Sequence, residues 1–512
     1  MGASNISLPQ MRLLQTKKND IILVLFCCNR HKNTPNDTAC VHFWRVLLAK
    51  TRRKVYNRLN NMLNKKSNKK YRLTLSQVVV IGFLAIILVG AGLLCLPFAT
   101  KNDGGIAYVD ALFTATSATC VTGLAVSATF DTFTVFGQVV IVMLIQVGGL
   151  GFMTLSSAIY MLIGKKVGLR TMLDIQEDMD DIYGGMRGFK TLISRIILIS
   201  FSCEFVGTVL LTAAFCKYYP FFKALGKGAF CAVSAFCNAG FDLTENGNSL
   251  IPFNDNPLVL VTVMLLIVMG GIGFLVVRDV FEKRRWSRFK LHTKVVIVTS
   301  AALILVGAAL TAGFEWNGAA FEGMTAGQKI LNSFFASVTA RTAGFCSVKM
   351  ENLSQPSLIL NMLLMFVGAS PASTGGGIKT TTLFVLIWTA VATVRQKTEV
   401  VVAKREISKK TIMRAVSTMV IAFALVFVST FLLILLEKGR FASELLLFEE
   451  ISAFATVGLT VGVTPLLCVG SKLVLIFSMF LGRVGMLTFF MSFAPPDYVD
   501  AKIKFKEAQI SI

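Results

Sequence analysis

The sequence predicts an all-α polytopic membrane protein, built as a fourfold pseudo-repeat of membrane helix, re-entrant half-helix and loop, and membrane helix around one axis. Three observations carry this expectation. Hydrophobic residues fill 54% of 512 positions against 15% charged, with a mean hydropathy of +0.68. Apolar runs long enough to cross a bilayer alternate with short basic segments. A glycine turn recurs four times at constant distance from a phenylalanine.

A crossing helix takes about 20 apolar residues. Eight stretches approach or exceed that length, at 75–98, 134–163, 192–216, 257–277, 295–314, 357–394, 411–436 and 472–493. Lysine and arginine gather before the first stretch and after every second one: through Lys70 and Arg72, at Lys165, Lys166 and Arg170, from Arg278 to Lys294, from Arg395 to Lys410, and at Lys502, Lys504 and Lys506. Cytoplasmic connections retain such residues, so both termini are expected in the cytoplasm. The chain then divides into a basic cytosolic tail (1–72), four repeats (73–165, 190–282, 293–396 and 411–495) and a cytosolic C-terminal tail (496–512). The formal charge of +23 resides in the basic connections. They carry few interleaved aromatic residues, which points to the lipid bilayer as partner and away from nucleic acid.

Between the two spans of each repeat lies a semi-apolar segment too short to cross. The four copies are FTATSATCVTGL from Phe113, FCAVSAFCNAGF from Phe230, FFASVTARTAGF from Phe334 and FEEISAFATVGL from Phe448, and they align without a gap. Phenylalanine precedes the motif glycine by ten positions in every copy. A serine stands six positions before that glycine in three of them (Ser117, Ser234, Ser452), with Val338 in the remaining one. The second spans echo one another as well, through GGLGFMTL from Gly148, GGIGFLVV from Gly270, GGGIKTTT from Gly375 and GRVGMLTFF from Gly482.

Irregular backbone at membrane depth survives only where it is buried in protein or lines an aqueous path. Four re-entrant turns around one axis therefore imply a central pore, in which backbone carbonyls replace the hydration shell of a cation. The candidate filter comprises Cys120, Val121, Thr122 and Gly123; Cys237, Asn238, Ala239 and Gly240; Arg341, Thr342, Ala343 and Gly344; and Ala455, Thr456, Val457 and Gly458. Glycine at the last position of each set supplies a positive φ and an approachable backbone. The half-helices direct their negative carboxyl ends toward the cavity. Asp103, Asp110, Asp242, Glu245 and Glu315 on the outer connections are expected to concentrate cations at the mouth. The competing reading is that the four glycines only make tight turns between helices.

An enzyme reading finds little material. Eleven cysteines include no CxxC pair, and three histidines form no HExxH motif or triad spacing. The stretch GASPASTGGGIKTTT (Gly368–Thr382) superficially suggests a phosphate loop, but Ile378 separates Gly377 from Lys379, where a Walker loop needs Gly-Lys-Ser/Thr in succession. Pro371 with Gly375, Gly376 and Gly377 instead opposes a continuous helix inside the sixth span, and nearby Ser and Thr side chains can satisfy the freed backbone. Arg483 places a charge within the eighth span, which costs about 2.5–3.5 kcal/mol on insertion scales unless it faces water or a partner. Glu449 or Glu450 is a candidate static partner. Glu204 is expected as an interhelical partner, and Arg341 as an anchor behind its turn. Lys379 either snorkels toward the cytosol or acts as a movable charge.

CVTGL, CNAGF, RTAGF, ATVGL, SPASTGGGIKTTT and GRVGMLT together resemble the Trk/Ktr/HKT potassium transporter superfamily, most closely its Ktr B membrane subunits (KtrB), over about residues 73–495. The resemblance implies a bacterial cell-membrane homodimer in which each chain forms its own pore. K+ would pass inward and be held by backbone carbonyls of the filter residues. A cytosolic KtrA-like nucleotide-binding subunit would regulate it, since this chain has no GxGxxG unit of its own. It implies no cofactor within the chain, with Na+ left open as a coupling or activating ion. It further implies that 368–382 is an intramembrane gating loop, so Gly368, Pro371, Gly375, Gly376, Gly377 and Lys379 belong to a gate together with Arg483. Arg483 matches an arginine that projects into the pore below the filter. Relatives that pass Na+ carry serine at the first filter glycine, and Gly123 is glycine here. Ala369 and Ala372 stand where relatives frequently have glycine. The alternative is a less selective or Na+-permeable cation channel of the same architecture.

Overall fold

The computed structural model describes residues 74–101, 104–151, 185–397 and 399–493. The tails expected at 1–72 and 496–512, Asp103, the basic Lys165–Arg170 segment and the second half of the span 134–163 lie outside the described residues.

The first unit comprises α1 (Leu75–Leu94), α2 (Tyr108–Cys120) and α3 (Val135–Leu150). The second comprises α4 (Gly185–Phe215), α5 (Phe221–Cys237), α6 (Pro257–Gly271) and α7 (Phe274–Lys283). The third comprises α8 (Leu291–Glu315), α9 (Ala326–Thr339), α10 (Gln355–Phe366) and α11 (Thr380–Val394). A two-stranded antiparallel hairpin, β1 (Val401–Val402) and β2 (Arg405–Glu406), leads to the fourth unit: α12 (Lys409–Glu437), α13 (Ser443–Phe454), α14 (Val469–Val484) and α15 (Met486–Phe493).

Local chemistry sets the starts of these helices. Thr74 and Gln77 form a reciprocal capping box at α1, and Thr325 with Gln328 repeats it at the half-helix α9. Asn256 caps α6 ahead of Pro257, whose missing N–H leaves no orphan donor at a first helical position. Glu315 and Glu437, at the ends of α8 and α12, are buried and cap the helix that follows the glycine turn of their own units, α10 and α14: Glu315 accepts from the Ser354 amide at 2.8 Å, and Glu437 from the Cys468 amide at 2.8 Å. Glu315 is thus a structural cap rather than a charge at the mouth.

The units close into a ring. The helix after each glycine turn packs on the half-helix of the next unit: α3 on α5, α6 on α9, α10 on α13, and α14 back on α2. Fully buried phenylalanines, including Phe113, Phe236, Phe335, Phe448 and Phe454, fill the space around the half-helices. The outer faces of α1, α4, α8 and α12 expose Leu88, Phe205, Leu305 and Phe427, as a lipid-facing surface requires.

Spanning lengths depart from the sequence expectation in a regular way. Among the described residues α1, α4, α8 and α12 are long and apolar enough to cross a membrane. The runs 257–277 and 472–493 are not continuous; they bend by 95° between α6 and α7 and by 94° between α14 and α15. Gly273 at φ +94° and Gly485 at φ +89° make these breaks, and α3 ends similarly at Gly151, φ +82°. These are the fourth positions of GGIG, GRVG and GGLG. The first positions serve packing: a Cβ at Gly148, Gly270 or Gly482 would overlap the carbonyl oxygen of Thr119, Phe236 or Phe454. In the third unit α10 stops at Phe366, and by distance from the turn the counterpart of Gly482 is Gly368 rather than Gly375. Both follow their motif glycines, Gly458 and Gly344, by the same interval.

Gly482→Ala is therefore expected to lower the thermal unfolding midpoint of the detergent-purified protein by several degrees, as overpacking by about 1–3 kcal/mol does. Gly313→Ala, where no atom lies within 4 Å of the added Cβ, is expected to leave it unchanged or higher.

Candidate functional site

The half-helices α2, α5, α9 and α13 converge on the axis, and each is followed by the same backbone path. Val121, Asn238, Thr342 and Thr456 take left-handed conformations at φ +58°, +61°, +68° and +52°. Two residues later Gly123, Gly240, Gly344 and Gly458 return to positive φ at +97°, +69°, +78° and +95°. These glycines meet one another in chain order. A Cβ on Gly123 would stand 3.1 Å from Gly240 Cα, one on Gly240 3.0 Å from Gly344 Cα, one on Gly344 3.1 Å from Gly458 Cα, and one on Gly458 2.9 Å from Gly123 Cα. The same positions abut the carbonyl oxygens of Ala239, Ala343, Val457 and Thr122. Glycine is required here twice over, by φ and by the neighbouring backbone.

The repeated serine braces the turn in the first and fourth units, whereas Ser234 Oγ in the second is buried and makes no such bond. Ser117 Oγ accepts from the Gly123 amide and Ser452 Oγ from the Gly458 amide, both at 3.1 Å. In the third unit, where Val338 replaces serine, Thr339 Oγ1 instead donates to the Phe345 carbonyl at 2.7 Å. The first residue of each candidate filter set points away from the ring or closes the half-helix. Cys120 and Cys237 end α2 and α5, and Cys237 Sγ donates to Gln146 Oε1 at 3.6 Å. Ala455 follows α13 directly. Arg341 reaches back to Ser300 Oγ on α8 at 3.0 Å, so its side chain lies behind the turn.

Above the ring opens a cavity of about 420 Å³, lined by all four glycines together with Asp242, Lys349, Glu351 and Thr460. Of the acids expected at the mouth, Asp242 lines this vestibule. Asp110 is paired with Lys472 at 2.7 Å, and Glu245 with Lys223 at 3.5 Å on the exposed surface. Burial pushes the Asp242 carboxyl up to about 6; the Thr244 amide and hydroxyl and the Lys227 ammonium oppose that rise, and Asp131 adds to it.

Below the ring lies the interrupted sixth span. Its loop docks on the break in the second unit: the amides of Ser370 and Thr374 donate to the carbonyls of Gly271 and Gly270 at 3.1 and 3.3 Å, and the Phe274 amide donates to the Ala372 carbonyl at 2.9 Å. Groups orphaned by the α6–α7 bend thus find partners in the loop. Ala372 adopts φ +55°, a conformation that costs an alanine more than a glycine. A Cβ at Gly273 would crowd the Pro371 carbonyl. Gly375 and Gly376 sit against Thr342 and Thr456, and Gly377, at φ +68°, against Ala455. Gly368 lies against the Gly376–Gly377 backbone, closing the loop on itself. Lys379 Nζ donates to the Gly375 carbonyl at 2.8 Å, which ties it to the loop rather than to the cytosol.

Arg483 completes the floor. Its guanidinium donates to the Thr374 carbonyl of the loop and to the Gly148 and Gly149 carbonyls at the end of α3. The static pair with Glu449 or Glu450 does not form. Glu449 accepts from Thr460 Oγ1, Thr464 Oγ1 and the Val461 amide, and Glu450 from Ser478 Oγ at 2.7 Å. Glu204 accepts from Gln146 Nε2 at 3.0 Å, an interhelical contact as its place in the third span implies. The sequence gives no sign of the α8 and α12 caps or of the Asp110–Lys472 pair, because each cap joins the two ends of a unit across its re-entrant segment and the pair joins the fourth unit to the first.

A ring of four re-entrant turns with a vestibule above and a charged floor below is the architecture of a multi-pass membrane protein that moves small cations. The profile of TrkH, cation transport proteins, matches residues 56–500. The Ktr system potassium uptake protein B of Bacillus subtilis is 39% identical over 441 residues, covering 86% of this chain and 97% of that protein. The potassium/sodium uptake protein NtpJ of Enterococcus hirae is 36% identical over 444 residues, covering 86% and 98%. The crystal structure of the potassium transporter TrkH from Vibrio parahaemolyticus aligns with a TM-score of 0.65 at 18% identity, covering 83% of this chain and 86% of that one. The chain belongs to the TrkH family of cation transport proteins, whose members are transporters and not enzymes.

Proposed function

We propose that the chain takes up K+ across the bacterial plasma membrane through its ring of four turns, with both termini in the cytoplasm. The observation that carries this is the closed contact of Gly123, Gly240, Gly344 and Gly458, each against the next unit's backbone, at the foot of the vestibule. Such a ring presents backbone carbonyls to a dehydrated cation and leaves no room for side chains. The relative titled potassium uptake protein B favours K+. The relative titled potassium/sodium uptake protein supports a second reading, in which Na+ also permeates or acts as a coupling ion.

The loop 368–382 is the gate in this proposal. Gly368, Pro371, Gly375, Gly376 and Gly377 give it its path, while Lys379 and Arg483 hold its carbonyls under the ring. The chain works as a homodimer with one pore per protomer. A cytosolic KtrA-like nucleotide-binding subunit controls the loop, a reading supported by the Ktr system titles of its relatives and by the basic connections Arg278–Lys294 and Arg395–Lys410. No cofactor is needed within the chain.

In a cell stripped of its own K+ uptake, supplied with the regulatory subunit, the parent is expected to restore growth and rubidium uptake. Gly123→Ser, at matched membrane abundance, is expected to lose K+ preference over Na+, because the hydroxymethyl group must displace the Ala239–Gly240 backbone. Equal ion preference in the two proteins would sink the filter assignment.

Arg483→Ala is expected to raise the maximal K+ flux several-fold, since the loop loses a charged donor whose bonds contribute about 1.5–3 kcal/mol each. Flux equal to the parent's would remove its role as a barrier.

External pH gives a separate reading. The raised Asp242 pKa means its carboxylate is charged above about 6 and neutral below. Uptake at limiting K+ is therefore expected to weaken as external pH falls from neutrality through that value. Asp242→Asn should be weak throughout and flat with pH; a parent-like pH profile in that variant would refute the assignment.

A further inference from the structure

The residue two places before each filter glycine is polar in three units and apolar in one: Asn238, Thr342 and Thr456 against Val121. The three polar side chains are fully buried and each meets the loop, and Asn238 and Thr342 also meet each other. Thr374 Oγ1 of the loop lies 3.3 Å from both Asn238 Oδ1 and the Phe236 carbonyl at the end of α5, and its one O–H is shared between these two acceptors of the second unit. Asn238 Nδ2 in turn donates to Thr342 Oγ1 at 3.3 Å. The Gly376 amide of the loop donates to Thr456 Oγ1 at 3.1 Å. Between these contacts Gly375 sits so close to Thr342 Oγ1 that a Cβ there would overlap it.

These bonds act on the turns that set the ring. Asn238 and Thr456 hold left-handed backbone conformations, at φ +61° and +52°, which are costly for a branched residue such as threonine and persist only when surroundings over-determine them. The loop is part of those surroundings. When it withdraws, two buried groups of the filter lose partners that nothing else described in the structure supplies. Unmade bonds of this kind weigh more heavily than the bonds themselves contribute, so the docked and withdrawn states are discrete rather than continuous.

We propose that Asn238 and Thr456 are positioning residues that latch the loop to the filter, so that withdrawal of the loop changes ion preference as well as flux. The proposal rests on reading the four turns as a filter and 368–382 as its gate. It places the determinant of coupling in neutral hydrogen bonds on the ring's underside, separate from the charged contacts of Lys379 and Arg483. Thr374 is the informative position, because it belongs to the loop and lines none of the filter. An effect of its hydroxyl on ion preference has to pass through its acceptors on the second unit's turn, Asn238 Oδ1 and the Phe236 carbonyl.

Thr374→Val and Thr456→Val, each nearly isosteric, remove one latch bond apiece. Two measurements on each test the proposal: rubidium uptake with Na+ competition in cells, and hydrogen exchange of the 368–382 backbone in the purified full chain. Loop exchange is expected to accelerate by roughly three- to tenfold in both variants, the factor that follows from losing one neutral hydrogen bond. K+ preference over Na+ is expected to fall in Thr374→Val although its filter sequence is intact. Thr374→Ser, which keeps the hydroxyl, is expected to return exchange to the parent rate. Faster exchange with unchanged ion preference in Thr374→Val would overturn the coupling, and unchanged exchange in both valine variants would overturn the latch itself. Should Thr456→Val fail to reach the membrane, Thr374→Val with its serine control decides alone. A parent that carries no K+ would instead defeat the uptake reading, while loop exchange would still report on the latch.

Discussion

Backbone contact between successive units at Gly123, Gly240, Gly344 and Gly458 is the constraint on which the rest of the structure depends. Four chain segments can meet at one axis only where none carries a Cβ toward its neighbour. Meeting there also demands a backbone that turns within three residues, hence the paired positive φ values in every unit. The half-helices follow from this: each must end at the turn, pointing its carbonyl end at the axis, with its first turns packed on the surrounding helices. The serine six residues before the glycine is the same requirement seen from behind, since Ser117 and Ser452 fix the amide that the turn would otherwise leave buried and unpaired.

The second constraint is polar satisfaction in a medium that offers no water. Bending α6 away from α7 frees the carbonyls of Gly270 and Gly271 and the amide of Phe274, each a liability at membrane depth. The loop of the third unit takes up all three through Ser370, Thr374 and Ala372. Break and loop are therefore complementary halves of one feature. A straight α6–α7 span would leave the Ser370 and Thr374 amides and the Ala372 carbonyl of the loop without these partners, and a helical third unit would leave the bend's own groups unpaired.

Much of this was legible in the residues, and what was not has a common cause. The four half-helices and turns could be read because the repeat is gapless from phenylalanine to glycine. The interruption in the sixth span could be read because Pro371 and three consecutive glycines violate helix chemistry. The bends at Gly273 and Gly485 could not, since a lone glycine inside an apolar run is compatible with a transmembrane helix. The signal was there in the shared fourth position of GGIG and GRVG. Glu449, Glu450 and Glu315 misled because composition assigns a buried acid either a basic partner or the solvent. In the structure Glu449 and Glu450 bind hydroxyl groups and Glu315 a helix amide, partners supplied by residues distant in sequence or across a loop.

Fourfold architecture within a single chain permits a floor that fourfold symmetry would forbid. Arg483 lies next to the axis, and its counterparts in the GGxG echo are Gly149 and Gly271. Four arginines at that radius would repel one another by several kcal/mol per pair, since like charges 4 Å apart cost about 4 kcal/mol at an effective dielectric of 20. One arginine can instead be solvated by carbonyl dipoles, and the Gly148 and Gly149 carbonyls it binds lie at the matching place in the first unit. The loop is likewise single, held under units two, three and four by Asn238, Thr342 and Thr456, while the first unit presents Val121 on that level. Arg483 spans the side that Val121 leaves without a hydrogen bond. Divergence among the repeats is therefore greatest just below the ring, where one loop and one charge must fit, and least at the glycines, where all four backbones must do the same thing.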